Sequence, residues 1–100
     1  MTPKKPAPAA RVHVLFKGRV QGVGFRYTAE RVAQEAGVTG WVRNLSTGDV
    51  EAVAEGTKER LEAFLEKMKT SEVGRHITKT AVEWQAARNE FKDFRVEFVY

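Results

Sequence analysis

Between Gly18 and Arg26 the chain reads Gly-Arg-Val-Gln-Gly-Val-Gly-Phe-Arg, which puts three glycines ahead of a cation in a short stretch. A turn of this composition can aim several main-chain N–H groups inward, and a helix that follows it adds unpaired N–H groups and the positive end of its dipole. Such a cradle favours an oxyanion. Most glycine-rich turns simply reverse the chain, and this one matches neither the dinucleotide fingerprint nor the Gly-Lys-Ser/Thr ending of a P-loop. Arg26 adds weight because it falls in the first helical turn, where the dipole opposes a cation and Asp or Glu would be the stabilising choice. A surface ion pair with Glu30, four residues on, would account for it but contributes only about 0.2–0.5 kcal/mol. Alternatively, its planar fork completes the cradle through two parallel N–H bonds to a phosphate.

Other chemistries lack their residues. The chain of 100 residues has no Cys, so a disulfide framework, a thiol nucleophile and a thiolate metal site are excluded. His13 and His76 lie far apart without acidic or nucleophilic neighbours in sequence, and both read as structural or exposed. Metal-dependent chemistry is therefore not expected. A net charge of +4 and a pI near 9.6 favour anionic partners without choosing among nucleic acid, a membrane surface and a phosphorylated small molecule. No apolar run is long enough to cross a bilayer, and the Lys pair near the N-terminus lacks the apolar stretch of a secretory signal. The reading is of a soluble, cytoplasmic protein.

The elements that must position the loop follow from periodicity. Met1 to Ala10 holds all three Pro and two Lys, and reads as a mobile tail before a single domain over Arg11 to Tyr100. Val12, Val14 and Phe16 alternate with Arg11, His13 and Lys17 in a half-buried strand from Arg11 to Lys17. After the Gly18 to Gly24 loop, Phe25, Ala29, Val32, Ala33 and Ala36 recur at helical spacing until Gly37 stops the helix. Strands over Trp41 to Leu45 and Val50 to Glu55 flank Ser46-Thr47-Gly48-Asp49, a hairpin turn by composition. Thr57 caps a second helix whose Leu61, Phe64, Leu65 and Met68 form one stripe, ending near Lys69. Two strands remain, Lys79 to Ala86 and Phe94 to Tyr100, joined through Arg88-Asn89-Glu90. Phe94, Val96, Phe98 and Tyr100 would share a face. The order predicts an α+β, ferredoxin-like βαββαβ two-layer sandwich with an added C-terminal strand. Its mainly antiparallel sheet carries both helices on one face and leaves the other to solvent or a partner.

With the elements in place, Gly18 to Arg26 followed by Gly40-Trp41-Val42-Arg43-Asn44 resembles the acylphosphatase family, and the order of elements agrees over Arg11 to Tyr100. The resemblance implies that Arg26 is the phosphate-binding catalytic arginine and Asn44 the residue that positions water. It makes the backbone of Arg19, Val20, Gln21, Gly22, Val23 and Gly24 the phosphate cradle. By itself Asn44 reads equally well as a strand-end residue bonding the turn at Ser46.

The implied activity is hydrolysis of the carboxyl-phosphate bond of an acyl phosphate to a carboxylate and inorganic phosphate. An acyl phosphate has a good leaving group, so positioning and charge neutralisation matter more than a strong base, and neither motif contains Asp, Glu, His, Cys or Lys. The expected partners are a small acyl phosphate and, as competitors, inorganic phosphate or sulfate. No metal, cofactor, nucleic acid or membrane is expected, and the chain should act as a monomer. RNA-binding modules share this element order, but they stack bases on aromatics of the central strands. Val50 to Glu55 offers two carboxylates and no aromatic, which ranks RNA binding below hydrolysis; a small-ligand regulatory module is a third reading. Arg19 and Arg43 would add to the field that draws in an anion. Phe16, Trp41 and Trp84 are expected to pack rather than touch a ligand.

Overall fold

A computed structural model describes residues 9–98. Strand β1 (Ala10–Gly18) turns Val12, Val14 and Phe16 to one face, where all three are buried. It starts at Ala10, one residue before the predicted boundary, because Ala10 pairs with both Gly56 and Ala86, and Ala9 donates to the Gly56 carbonyl. The rest of the predicted tail, and Tyr100 at the other end, lie outside the described residues.

Helix α1 (Phe25–Ala36) buries Phe25, Thr28, Ala29, Val32 and Ala33 and ends at Gly37, whose left-handed backbone returns its N–H to the last turn. Strands β2 (Thr39–Asn44) and β3 (Val50–Gly56) form the predicted antiparallel hairpin. Leu45, assigned to the strand by its apolar character, instead opens the turn, bonding Asp49 through its N–H. Helix α2 (Lys58–Thr70) is capped by the Thr57 hydroxyl, which accepts from the Arg60 N–H at 3.2 Å. It buries Leu61, Phe64 and Met68, with Leu65 partly covered. A short 3-10 turn over Gly74–His76, not evident from the pattern, leads into β4 (Ile77–Ala86). The chain then crosses to β5 (Phe94–Glu97).

The sheet order is β4-β1-β3-β2-β5, antiparallel throughout except for β2 beside β5. This is the ferredoxin-like sandwich, and it places the added strand at the β2 edge, parallel to it. One apolar cluster lies between helices and sheet, with Phe16 against Phe25 and Phe64 against Phe94. Trp84 departs from its predicted packing role. It shares the helix-side face with its cross-strand partner Val12, but it lies near the end of β4, an edge strand, and is 44% exposed.

The opposite face is less open than the pattern suggests. Since β4 and β5 lie at opposite edges, the segment 87–93 must traverse the sheet, and Glu55 fixes it there. The Glu55 carboxylate accepts from the N–H groups of Arg88 at 2.6 Å and Asn89 at 3.0 Å and from Arg11 at 3.3 Å. Arg11 in turn pairs with Glu90 and lies under the Phe91 ring. A carboxylate only 1% exposed is tolerable because these donors replace its water. Glu55→Ala should lower the unfolding free energy by about 3 kcal/mol or more in urea denaturation, since Arg11 loses its buried partner and two amides lose their acceptor. Glu55→Gln, which keeps an acceptor, should cost less.

Candidate active site

Where β1 leaves the sheet its register with β4 shifts at Gly18, and the Arg19 N–H donates to the His76 carbonyl at 3.1 Å. The fully buried Val20 side chain then pins the loop to the core. Beyond it Gly22 and Gly24 adopt φ of 79° and 73°, a left-handed conformation that costs other residues about 1–2 kcal/mol. Gly24 is the N-cap of α1 and brings no side-chain cap, and the first turn has no acidic residue. Among the described residues, the hydrogen bonds include none donated by the amides of Gln21, Gly22, Val23 and Gly24. The loop thus ends in uncommitted donors at the positive end of a helix. Of the expected cradle, the Arg19 amide donates to His76, while the Val20 amide, like those of Gln21 to Gly24, donates no hydrogen bond among the described residues.

Arg26 makes no pair with Glu30 among the described residues. Its guanidinium lies 4.8 Å over the Phe98 ring and donates to the Glu97 carbonyl at 3.4 Å. That contact locates it relative to Asn44. The β2–β5 pairing ends with Arg43 beside Glu97, and Asn44 is the next residue of β2. Asn44 pairs with Val50, so it shares the face of Val42 and Val50, which are buried beneath the helix layer that carries Arg26. The loop, the helix start, Arg26 and Asn44 therefore gather at one end of the molecule on the same side of the sheet.

The side chain of Gln21 ties the two halves together. Its Nε2 donates to the Leu45 carbonyl at 2.7 Å and to the Asp49 carbonyl at 2.9 Å, bracketing the turn that follows Asn44. Lys17 adds an ion pair to Asp49 at 3.1 Å. Arg43, in contrast, points to the opposite face. It stacks on Trp41 and donates through Nε to Glu51 at 2.7 Å, so it does not contribute a free charge beside the loop. Arg19 is exposed. Among the described residues, no group of three or more His, Cys, Asp or Glu stands ready to hold a metal ion.

The acylphosphatase family model matches residues 12–96, which spans the sheet, both helices and the site. The chain belongs to the acylphosphatase family. A Methylococcus capsulatus acylphosphatase is 48% identical over 86 residues, covering 86% of this chain and 94% of that protein. One from Pyrobaculum aerophilum is 43% identical over 88 residues, covering 87% and 93%. Among solved structures, the Bacillus subtilis acylphosphatase superposes with a TM-score of 0.81 at 34% identity, covering 91% of this chain and 99% of that one. The Coxiella burnetii acylphosphatase gives 0.70 at 35% identity, covering 96% and 100%.

Two contacts of this acylphosphatase-family site escape sequence reasoning. Phe98 and Glu97 reach Arg26 only because β5 lies beside β2, and periodicity gives no signal for that placement. The Gln21 amide had a faint one, as a long polar side chain between Val20 and Gly22 in an otherwise apolar and glycine-rich run.

Behind the site, Glu51 accepts from Arg43 and also meets His13 Nε2 at 2.7 Å, giving this histidine an acidic partner that only strand pairing supplies. Burial alone would raise the Glu51 carboxyl above its ordinary value of 4.5, but hydrogen bonds from His13 and Arg43, with their charge, hold it lower. A folded-state pKa below the unfolded one stabilises the fold above the ordinary value and ceases to do so as pH falls through the folded value. Glu51→Gln should therefore melt below the wild type near neutrality, and the two melting temperatures should converge as pH falls below the ordinary carboxyl value of 4.5.

Proposed function

We propose that the amides of Gln21 to Gly24 and the Arg26 guanidinium hold the phosphoryl group of an acyl phosphate while Asn44 orients the attacking water. What supports this reading is that the uncommitted loop and helix donors, Arg26 and Asn44 lie at the same end and on the same side of the sheet. Phosphoryl transfer spreads negative charge over three equatorial oxygens, and preorganised N–H donors and a guanidinium oppose that charge at little reorganisation cost. Arg26 sits where the helix dipole disfavours a cation, and a bound dianion would reverse that penalty.

The Asn44 amide can accept from a water and donate to it, presenting the oxygen in line with the bond to the leaving carboxylate. As the P–O bond to the carboxylate breaks and the water oxygen bonds phosphorus, a substrate oxygen takes the proton. The products are a carboxylate and inorganic phosphate. No metal, cofactor, nucleic acid or membrane enters this scheme, which is set in the cytoplasm. One chain supplies every group, which supports a monomer as the catalytic unit.

Benzoyl phosphate should be hydrolysed at an undiminished rate with a chelator present, and turnover that needs added metal would contradict the scheme. Arg26→Ala should lower kcat/KM by about 10³-fold or more while leaving the circular dichroism spectrum unchanged. Arg26→Lys should fall nearly as far, because an ammonium cannot reproduce the bidentate fork. Asn44→Ala should reduce kcat by about 10²-fold or more yet leave the inhibition constant of inorganic phosphate nearly unchanged. Phosphate or sulfate at millimolar concentration should inhibit competitively and raise the melting temperature of the wild type.

A further inference from the structure

We infer that the side chain of Gln21 is a positioning residue for the reaction, holding the water-orienting Asn44 in place against the anion cradle; this rests on the roles assigned to Asn44 and the loop above. Loop 18–24 and turn 45–49 belong to different strand connections. The backbone hydrogen bonds of the loop and turn run to the 3-10 turn before β4 or within the turn: Arg19 donates to His76, Leu45 to Asp49 and Gly48 to Leu45. The Gln21 amide joins loop and turn directly, with donor-acceptor distances of 2.7 and 2.9 Å to Leu45 and Asp49, the two ends of the turn. Both acceptors are carbonyl oxygens, so only the NH2 side of the amide can face them, and its two hydrogens suit two acceptors.

The placement has a mechanical consequence. Leu45 directly follows Asn44, and its carbonyl also accepts from Gly48 while the Asp49 carbonyl accepts from Leu45. Gln21 thus grips a turn already closed on itself, and moves with the loop whose amides would bind the phosphoryl group. Phosphoryl cradle and water holder become one rigid unit. Since misplacement by about 1 Å can cost roughly 100-fold in rate, a link between groups on separate connections affects turnover beyond its contribution to stability.

The test compares wild type, Gln21→Glu, Gln21→Met and Asn44→Ala in benzoyl phosphate hydrolysis, at a temperature where circular dichroism finds each folded. Glutamate keeps the shape but, when ionised, presents oxygens to two carbonyls with nothing to donate; methionine keeps the length without a donor. Both Gln21 variants should lose about 10- to 100-fold in kcat while the inhibition constant for inorganic phosphate changes less than about threefold. The kcat of Gln21→Glu relative to wild type should rise as pH falls and the carboxyl gains a proton to donate, whereas that of Gln21→Met should not. If Gln21→Glu fails to fold, the kcat and phosphate constants of Gln21→Met decide alone. Wild-type kcat in a folded Gln21→Met would overturn the inference, and so would phosphate affinity falling in parallel with kcat, which would place Gln21 in the cradle itself. An active wild type with a crippled Asn44→Ala and an unimpaired Gln21→Met refutes only the positioning role. A wild type that does not hydrolyse the substrate, or an Asn44→Ala of full activity, refutes the underlying reading as well.

Discussion

Phe16 faces Val50 across the central strand pair, and this register brings the two halves of the site together. Strand β1 leaves the sheet two residues after Phe16, while β3 enters it at Val50. The loop that begins at Gly18 and the turn that ends at Asp49 must therefore emerge at the same end. A slip of one residue would turn Phe16 out of the core, so the packing that buries Val12, Val14 and Phe16 also fixes where the donors and the carboxamide meet. Core and site are two results of one alignment.

The same economy governs charge. Within the site, Arg26 is half-buried and rests on an aromatic ring and a carbonyl, neither of which neutralises it. Behind the sheet, Arg43 and Arg11 are matched by Glu51 and Glu55. The basic chain thus uses its carboxylates where cations are structural, and among the described residues Arg26 has no carboxylate partner beside the uncapped helix. Net charge could favour an anion without naming a position for it; strand alternation sends Arg43 to one face and Asn44 to the other.

Much of this was legible in the residues. Helix stripes, the Thr57 cap, the Gly37 stop and the alternation in β1 are local signals, and each is found in the fold. The left-handed glycines and the cation in the first turn of α1 were legible for the same reason, since both are local departures from helix preference. What the sequence could not carry were pairings between distant segments. His13 meets Glu51 and Gln21 meets Leu45 only after the strands align. Trp84 reads as core until β4 proves to be an edge strand. The location of β5 depends on how segment 87–93 runs, and that route is set by Glu55 through bonds to Arg88 and Asn89, more than thirty residues away in sequence.

That route has a limit of length. From β4 to β5 the chain passes four strand spacings, roughly 19 Å at about 4.8 Å each, and the eight Cα–Cα steps from Ala86 to Phe94 span at most about 29 Å when fully extended. The bend at Glu55 takes up part of the remainder. Shortening this strap by three residues, which leaves a reach of about 18 Å, would pull β5 from the β2 edge before it disturbed the central strands, and Phe98 would go with it. The guanidinium of Arg26 would then lose the ring on which it rests, although every residue of the loop and of β2 was intact.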